Sequence, residues 1–281
     1  MVHKQKRATG SLFTSVPMIF TLPAVVGGIL IIGPLCALGI NIPWADVGVL
    51  MGDPQVWEAT RLSVSTALIS TLCCGLLGLP MSLVLSAVVA RSRWQRAGSI
   101  LYGLLYTPII MSPVVSGLAL TFFWGRRGMI GEFLHDWGVN IPFTPVAVIL
   151  AQIFVGLPFF VATAVTTLRA IPREYEELAV VEGATAGEVT RKVLLPLAAP
   201  GIATAFLLSF ARALGEYGAT VTFAGNIAGK TRTIPLNIEL MLSSNLMDQA
   251  LGSALMLISL YLLVVGIALL IRILSTLRGS L

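Results

Sequence analysis

Hydrophobic and polar positions along this chain fall into long blocks rather than the short periods of a soluble fold. Apolar stretches long enough to cross a bilayer, which takes about 20 residues, are separated by short charged segments. We place six such stretches at residues 12–40, 62–90, 100–124, 146–168, 197–223 and 251–273. The pattern predicts an all-α membrane protein in which residues 1–281 form a single transmembrane domain of six helices.

The composition excludes a soluble globular domain. The chain is 56% hydrophobic and 11% charged, whereas soluble domains carry about 25% charged residues. Its net charge of +5 is spread over the flanks of the apolar stretches, unlike the single basic stripe of a nucleic-acid-binding protein. Cys36, Cys73 and Cys74 lie inside predicted spans without metal-ligand spacing, which indicates packing rather than a metal site.

Lysine and arginine are distributed unequally between the two sides of the predicted membrane. One side holds Lys4, Lys6, Arg7, Arg91, Arg93, Arg96, Arg169, Arg173, Arg191, Lys192, Arg272 and Arg278. The other side holds Arg126, Arg127, Lys230 and Arg232. Because basic residues accumulate on the cytoplasmic side of membrane proteins, we expect both termini, and the segment after the fourth span, to be cytoplasmic.

That segment, residues 173–195, has the pattern of a folded loop. Helix-forming residues run from Arg173 to Val181, and Gly183 is placed to end a helix. A second short helix is expected from Ala186 to Leu195, with Pro196 as its stop. The sequence therefore predicts two short helices joined by a glycine corner on the cytoplasmic face.

The spacing of this loop resembles the loop of permease subunits of ABC importers, which reads Glu-Ala-Ala, three residues, Gly, nine residues, Ile-x-Leu-Pro. The matching residues here are Glu177-Leu178-Ala179, Gly183 and Val193-Leu194-Leu195-Pro196. Leu178 and Val193 depart from the family pattern. In that family the two helices fit a groove on a separate ATPase subunit. The resemblance thus assigns ATPase coupling to Glu177, Ala179, Gly183, Val193, Leu195 and Pro196.

Two later runs resemble the molybdate, tungstate and sulfate branch of these permeases, and are closest to molybdate permeases. They are Gly215-Glu216-Tyr217-Gly218-Ala219-Thr220 and Gly229-Lys230-Thr231-Arg232-Thr233-Ile234-Pro235-Leu236. The resemblance implies a subunit of an ATP-driven molybdate or tungstate importer in a prokaryotic plasma membrane, with sulfate or thiosulfate as the alternative. It further implies a homodimer, two cytoplasmic ATPase subunits that bind ATP and Mg, and an external binding protein. No cofactor is expected in this chain.

Arg212 and Glu216 are ionisable residues inside a predicted span, where charge is costly and marks function by default. Their spacing of four puts both on one helical face, and two interpretations stay open: a structural pair, or part of the translocation route. Small residues on this span make it the candidate dimer interface. The candidate route residues are Arg212, Glu216, Thr220, Thr222, Asn226, Lys230 and Arg232, with Thr231 and Thr233 as further donors. Lys230 and Arg232 either attract the anion or contact the binding protein.

Other classes of protein fit the sequence less well. Gly229-Lys230-Thr231 lacks the earlier glycine of a phosphate-binding loop, since Gly225 stands one residue late. No nucleophile, carboxylate pair or metal set converges, so we expect a transport subunit rather than a membrane enzyme. A carrier driven by an ion gradient would have more intramembrane carboxylates and inverted repeats. Transport that requires ATP and a co-purified ATPase would exclude both.

Overall fold

The computed structural model describes residues 20–90 and 95–278, and its regular structure there is entirely helical. The helices are α1 (Thr21–Ile40), α2 (Val47–Met51), α3 (Pro54–Ala90), α4 (Gln95–Ile110), α5 (Pro113–Trp124), α6 (Gly131–Asp136), α7 (Pro145–Arg169), α8 (Glu174–Val181), α9 (Ala186–Glu188), α10 (Leu195–Leu214), α11 (Gly218–Phe223), α12 (Ile234–Ser243) and α13 (Met247–Arg278). A π-helical stretch, Val189–Leu194, joins α9 to α10. The predicted all-α fold is confirmed.

Contacts divide the chain into two units, Met1–Val47 and Gly48–Leu281. In the first unit α1 has a mean hydropathy of 2.2, and none of its residues is buried. Such a helix presents apolar side chains along its whole length, which suits a lipid environment or a partner chain. The description of the chain as one domain stays a prediction.

The core of the second unit is built around α7. This helix packs against α3 and α10, and half of its most apolar window is buried. Phe160 of α7 is fully buried and meets the ring of Phe206 of α10 edge-on, with ring centroids 4.9 Å apart. Gly78 of α3 leaves the space that the Phe160 ring fills, because a Cβ there would lie 2.5 Å from that ring. The position of α10 is therefore fixed by close packing on α7.

Within residues 20–90 and 95–278, five helical runs are long and apolar enough to cross a membrane: α1, α3, α7, the run from Ala186 to Leu214, and α13. The remaining predicted span, 100–124, is not one straight helix but α4 and α5, bent by 111°. Proline lacks an N–H and forces the preceding residue out of the helical region. Ser112, before Pro113, accordingly has φ −56° and ψ 138°. The count is six if the bent pair is one span.

The predicted fifth span, 197–223, also needs correction. Its helix ends at Leu214, and α11 takes over after a break at residues 215–217. At the other end Pro196 does not stop the second loop helix, which runs on from Ala186 to Leu214. The π-helical stretch explains this continuity: the Leu195 N–H bonds to the Thr190 carbonyl, five residues back, and this wider turn accommodates a following proline.

Three further boundaries differ from the predictions. The helix α3 begins at Pro54 rather than residue 62, because the Asp53 carboxylate accepts the Gln55 N–H at 2.7 Å and so caps it. The last span extends to Met247–Arg278 rather than 251–273. The short helix α12 was not predicted. Residues 12–19 of the first predicted span lie outside the described residues.

Candidate coupling loop and anion route

The corner after α8 is a helix end closed by backbone hydrogen bonds. The Gly183 N–H bonds to the Val180 carbonyl at 3.0 Å, and the Ala184 N–H bonds to the Ala179 carbonyl at 2.9 Å. This pair of bonds is the Schellman arrangement, which needs a left-handed residue after the helix. Gly183 has φ +88° and no atom within 4 Å of an added Cβ, so its backbone conformation, not space, requires glycine.

The helical run after the corner starts with a capping box. Thr185 Oγ1 accepts the Glu188 N–H at 3.4 Å, and a Glu188 carboxylate oxygen accepts the Thr185 N–H at 3.1 Å. Lys192 Nζ lies 2.8 Å from the other oxygen of that carboxylate. Val193 and Leu195 are half-buried farther along, whereas Pro196 is exposed. The loop is thus a folded unit whose second helix leads directly into α10.

The exposed side of α8 carries apolar side chains that were not predicted from the charged sequence of this loop. Tyr175, Leu178 and Val181 are 51%, 63% and 83% exposed. In the sequence these three apolar residues stand among charged ones. That contrast is the signal from which an exposed apolar patch could have been predicted. An apolar patch on a predicted aqueous loop indicates a surface for another protein. The patch includes Leu178, one of the two departures from the family spacing.

Other residues of the coupling loop line a cavity that they share with α3 and α7. Arg173, Glu176 and Glu177 contribute to a cavity of about 690 Å³. Its remaining walls come from the second half of α3, the end of α7 with the residues that follow it, α8 and the start of the next helical run: Leu83, Ser86, Ala87, Leu168, Arg169, Ile171, Val180, Ala186, Val189, Thr190 and Leu194. Glu177 is exposed but lines this cavity, whereas its neighbour Leu178 does not.

Arg212 and Glu216 form an ion pair at the end of α10. Arg212 Nη1 lies 2.6 Å from Glu216 Oε2. The Glu216 side chain is 1% exposed, and the Arg212 side chain is 30% exposed. The second carboxylate oxygen, Oε1, accepts the Ala219 N–H at 2.8 Å. Glu216 is thus bonded on both oxygens. The predicted pairing is present, but Glu216 lies in the break after α10 and not on a shared helical face.

The helix α11 is held against α5 by two glycine contacts. A Cβ on Gly117 of α5 would lie 2.5 Å from Thr222, and a Cβ on Gly218 of α11 would overlap Pro113. The Thr222 hydroxyl donates to the Gly218 carbonyl at 2.9 Å within its own helix. Thr220 is buried, and its hydroxyl has no hydrogen-bond partner among the described residues.

The turn after α11 uses most of its polar groups internally. Thr231 Oγ1 donates to the Gly225 carbonyl and accepts the Ile227 N–H, both at 2.9 Å. Asn226 Nδ2 donates to the Leu236 carbonyl at 3.0 Å, and Asn226 Oδ1 accepts from Arg232 Nε at 3.0 Å. These donors hold the turn together, so their residue types alone do not make them free for an anion.

The exposed positive charge of this turn is Lys230. Its side chain has no ion pair with any described residue, whereas Arg232 is half-buried and bonded to Asn226. Thr233 is buried, and its hydroxyl has no hydrogen-bond partner within the described part of the chain. Residues 20–90 and 95–278 contain no group of three or more His, Cys, Asp or Glu side chains placed to hold a metal ion.

A comparison with protein families assigns the chain. Residues 78–277 match the family described as "Binding-protein-dependent transport system inner membrane component". The chain belongs to this family. It is therefore a multi-pass component of the inner membrane, as predicted from the apolar stretches, and works with partner subunits, as predicted from the coupling loop.

Individual relatives agree with this assignment. The "Molybdenum transport system permease protein ModB" of Mycobacterium tuberculosis is 42% identical over 252 residues, which cover 90% of this chain and 93% of the relative. The "Sulfate transport system permease protein CysT" of Salmonella typhimurium is 33% identical over 209 residues, which cover 73% of each chain. Both are named as permeases, so this chain is a transport subunit and not an enzyme.

The fold also matches a solved transporter. A bacterial alginate ABC transporter, crystallised with a periplasmic protein that holds an alginate pentasaccharide, contains a chain that aligns with a TM-score of 0.66. The alignment covers 89% of this chain and 91% of that one at 19% identity. At that identity the likeness establishes the fold of an ABC permease and leaves the substrate open.

Proposed function

We propose that this chain is the permease subunit of an ATP-driven importer of molybdate or tungstate. The observation that carries the substrate class is the 42% identity with molybdenum permeases across 90% of the chain. The two runs around Glu216 and Lys230 support it, because they resemble that branch. The importer would use a homodimer of this chain, two cytoplasmic ATPase subunits that bind ATP and Mg²⁺, and an external binding protein; this chain itself holds no cofactor.

The apolar side of α8 supports ATPase docking. Tyr175, Leu178 and Val181 form an exposed patch on a loop that the charge distribution assigns to the cytoplasm. Burying a leucine side chain contributes about 1.5–3 kcal/mol, so Leu178→Asp should weaken ATPase attachment more than tenfold. Met129→Asp changes a side chain that is 75% exposed in another loop and should leave attachment unchanged. Equal attachment of the Leu178 variant and the parent contradicts docking on this side of α8.

A homodimer is supported by surfaces that the single chain leaves uncovered. Leu197 and Leu208 of α10 are about half exposed, at 48% and 46%. Ala205 and Ser209 of α10 are buried, so that helix is only partly covered by the helices of its own chain. Light scattering of the detergent-purified complex gives the number of copies, and one copy per complex contradicts this part of the proposal.

The mechanism is alternating access. ATP closes the pair of ATPase subunits, the loops docked on them move together, and the two permease copies rock so that the route between them opens outward. A divalent anion cannot rest unpaired in hydrocarbon, since burial of a charge costs many kcal/mol. Lys230, Thr220 and their neighbours are therefore proposed to stabilise the anion on its way.

Uptake by the reconstituted complex tests the whole proposal. The complex is placed in liposomes with its ATPase and binding protein, and uptake of labelled molybdate, tungstate and sulfate is measured with and without internal ATP. We expect ATP-dependent uptake of molybdate and tungstate. Uptake of sulfate alone favours the alternative suggested by the sulfate relative, and uptake driven by an ion gradient without ATP contradicts the proposal.

A further inference from the structure

The break in the fifth predicted span lies at the end of a continuous helical run that starts in the coupling loop. Thr185 caps a helical run that continues without interruption from Ala186 to Leu214. A displacement applied to the loop is therefore carried along this run into the membrane domain. The helical hydrogen bonds stop at Gly215. Whether α11 moves together with α10 therefore depends on the contacts that join the two helices.

One carboxylate bonds to the helices on both sides of this break. Glu216 Oε2 contacts the guanidinium of Arg212, in the last turn of α10, at 2.6 Å. Glu216 Oε1 accepts the N–H of Ala219, in the first turn of α11, at 2.8 Å. A cation suits a helix C-terminus and an anion suits a helix N-terminus, so both contacts also complement the helix dipoles.

Because Glu216 is buried, breaking its bonds to Arg212 and Ala219 is energetically costly. Glu216 is 2% exposed as a residue, and a buried charge that loses its partner is strongly destabilising. Tyr261 of α13 fills the space beside Gly215, where a Cβ would overlap its hydroxyl. The two helices are thus held at one angle by charge, capping and packing together.

The orientation of α11 in turn determines the positions of α5 and of the turn that follows α11. Its glycine contact with Pro113 joins it to α5, and it leads directly into the turn in which Thr231 bridges Gly225 and Ile227. Since cores and interfaces are close-packed and transmit displacement, a rotation of α11 moves α5 and this turn as well.

We propose that Glu216 is a positioning residue of the transport cycle: its carboxylate joins α10 to α11, so that movement of the coupling loop reaches the outer turn. The proposal rests on the ATP-driven transport proposed above. It gives Arg212 the task of holding Glu216 rather than of binding the anion. When this joint is lost, ATP is hydrolysed but little anion crosses.

The first test separates coupling from binding with Glu216→Gln, which keeps an oxygen for the Ala219 N–H but removes the charge that Arg212 needs. In liposomes containing the complete complex, we expect anion transported per ATP to fall at least tenfold. The ATPase rate and the KM for the loaded binding protein should stay within about twofold of the parent values.

Arg212→Lys keeps the charge and should restore most of the coupling that Arg212→Gln loses. Thr163→Val, which removes a hydroxyl bonded within α7, is the matched control and should transport normally.

The second test follows movement directly. Spin labels are attached in separate complexes at Glu182→Cys in the loop and Ala228→Cys in the outer turn, and distances between the two copies are measured with and without trapped ATP. In the parent both distances should change. In the Glu216→Gln complex the loop distance should still change while the outer distance should not. A purely structural defect would not separate the two.

Several results overturn the proposal. Normal transport per ATP in Glu216→Gln does so, as does a changed KM at an unchanged maximal rate, which would place the pair in the anion route instead. If Glu216→Gln does not assemble, the double variant Arg212→Gln/Glu216→Gln replaces it, since it leaves no charge without a partner, and full coupling in that variant refutes the joint. If neither distance responds to ATP in the parent, the proposed ATP-driven function fails, and the joint fails with it.

Discussion

The glycine corner of the coupling loop gives the most direct quantitative test of ATPase docking. Gly183 has φ +88°, and no atom lies within 4 Å of an added Cβ. Gly183→Val therefore adds backbone strain without a steric clash. A non-glycine residue held in such a region costs about 1–3 kcal/mol, and the alternative, unbending the corner, gives up two backbone hydrogen bonds worth about 1 kcal/mol each.

Both estimates give a penalty of about 2 kcal/mol for the docked conformation. Since about 1.4 kcal/mol corresponds to a factor of ten in affinity, the ATPase should bind the Gly183→Val permease about 30-fold more weakly. Titration of the purified ATPase against the permease in nanodiscs, followed by fluorescence, measures this ratio. Gly183→Asn should lose less affinity, because asparagine tolerates the left-handed region better than valine does.

The chain supplies a matched control for backbone strain. Gly138 has φ +80°, no atom within 4 Å of an added Cβ, and the same pair of bonds closing the end of α6. Gly138→Val should therefore strain its corner equally while leaving ATPase affinity unchanged. If both variants weaken the affinity alike, the effect is a general loss of stability. An unchanged affinity of Gly183→Val refutes the requirement for the bent loop.

Three further predictions concern orientation and the anion route. A cysteine at Glu182 should react only with reagents that reach the cytoplasm and one at Ala228 only from outside, so labelling of both from one side removes the proposed topology. Lys230→Glu should slow uptake more at low salt than at high salt, because exposed charges are screened within about 10 Å at 0.1 M; an effect independent of salt argues against electrostatic attraction. Arg212→Gln should impair uptake equally at all salt concentrations, and unimpaired uptake would remove Arg212 from the transport cycle.

Much of the fold follows from the sequence because the bilayer imposes a length and a charge bias that can be counted. The apolar stretches predicted α7 to within a residue at each end, 146–168 against Pro145–Arg169. The glycine corner followed from Gly183, since few other residues end a helix in this way. Both features depend on local chemistry, which a single sequence displays.

The breaks inside spans were missed for a physical reason. Apolar residues continue past Leu214 into α11, so hydropathy does not register that the helix has ended. What ends it is the Glu216 carboxylate, which caps α11 at Ala219, and the packing of Gly218 on Pro113, far away in the sequence. Similarly, the apolar stretch 100–124 continues through Pro113, but the preceding residue, Ser112, leaves the helical region altogether.

The anion route shows why residue type is a weaker guide than residue position. Thr231 and Asn226 have the donors that an oxyanion needs, yet the structure uses those donors to close a turn. Lys230 also attracts an anion, through its charge, and its side chain is exposed. A donor that already has a partner must break that bond before it can bind an ion, and the cost is close to what the new bond returns. Exposed and unpaired groups should therefore dominate the first contact with the anion, and internally bonded groups should act by keeping the turn in place.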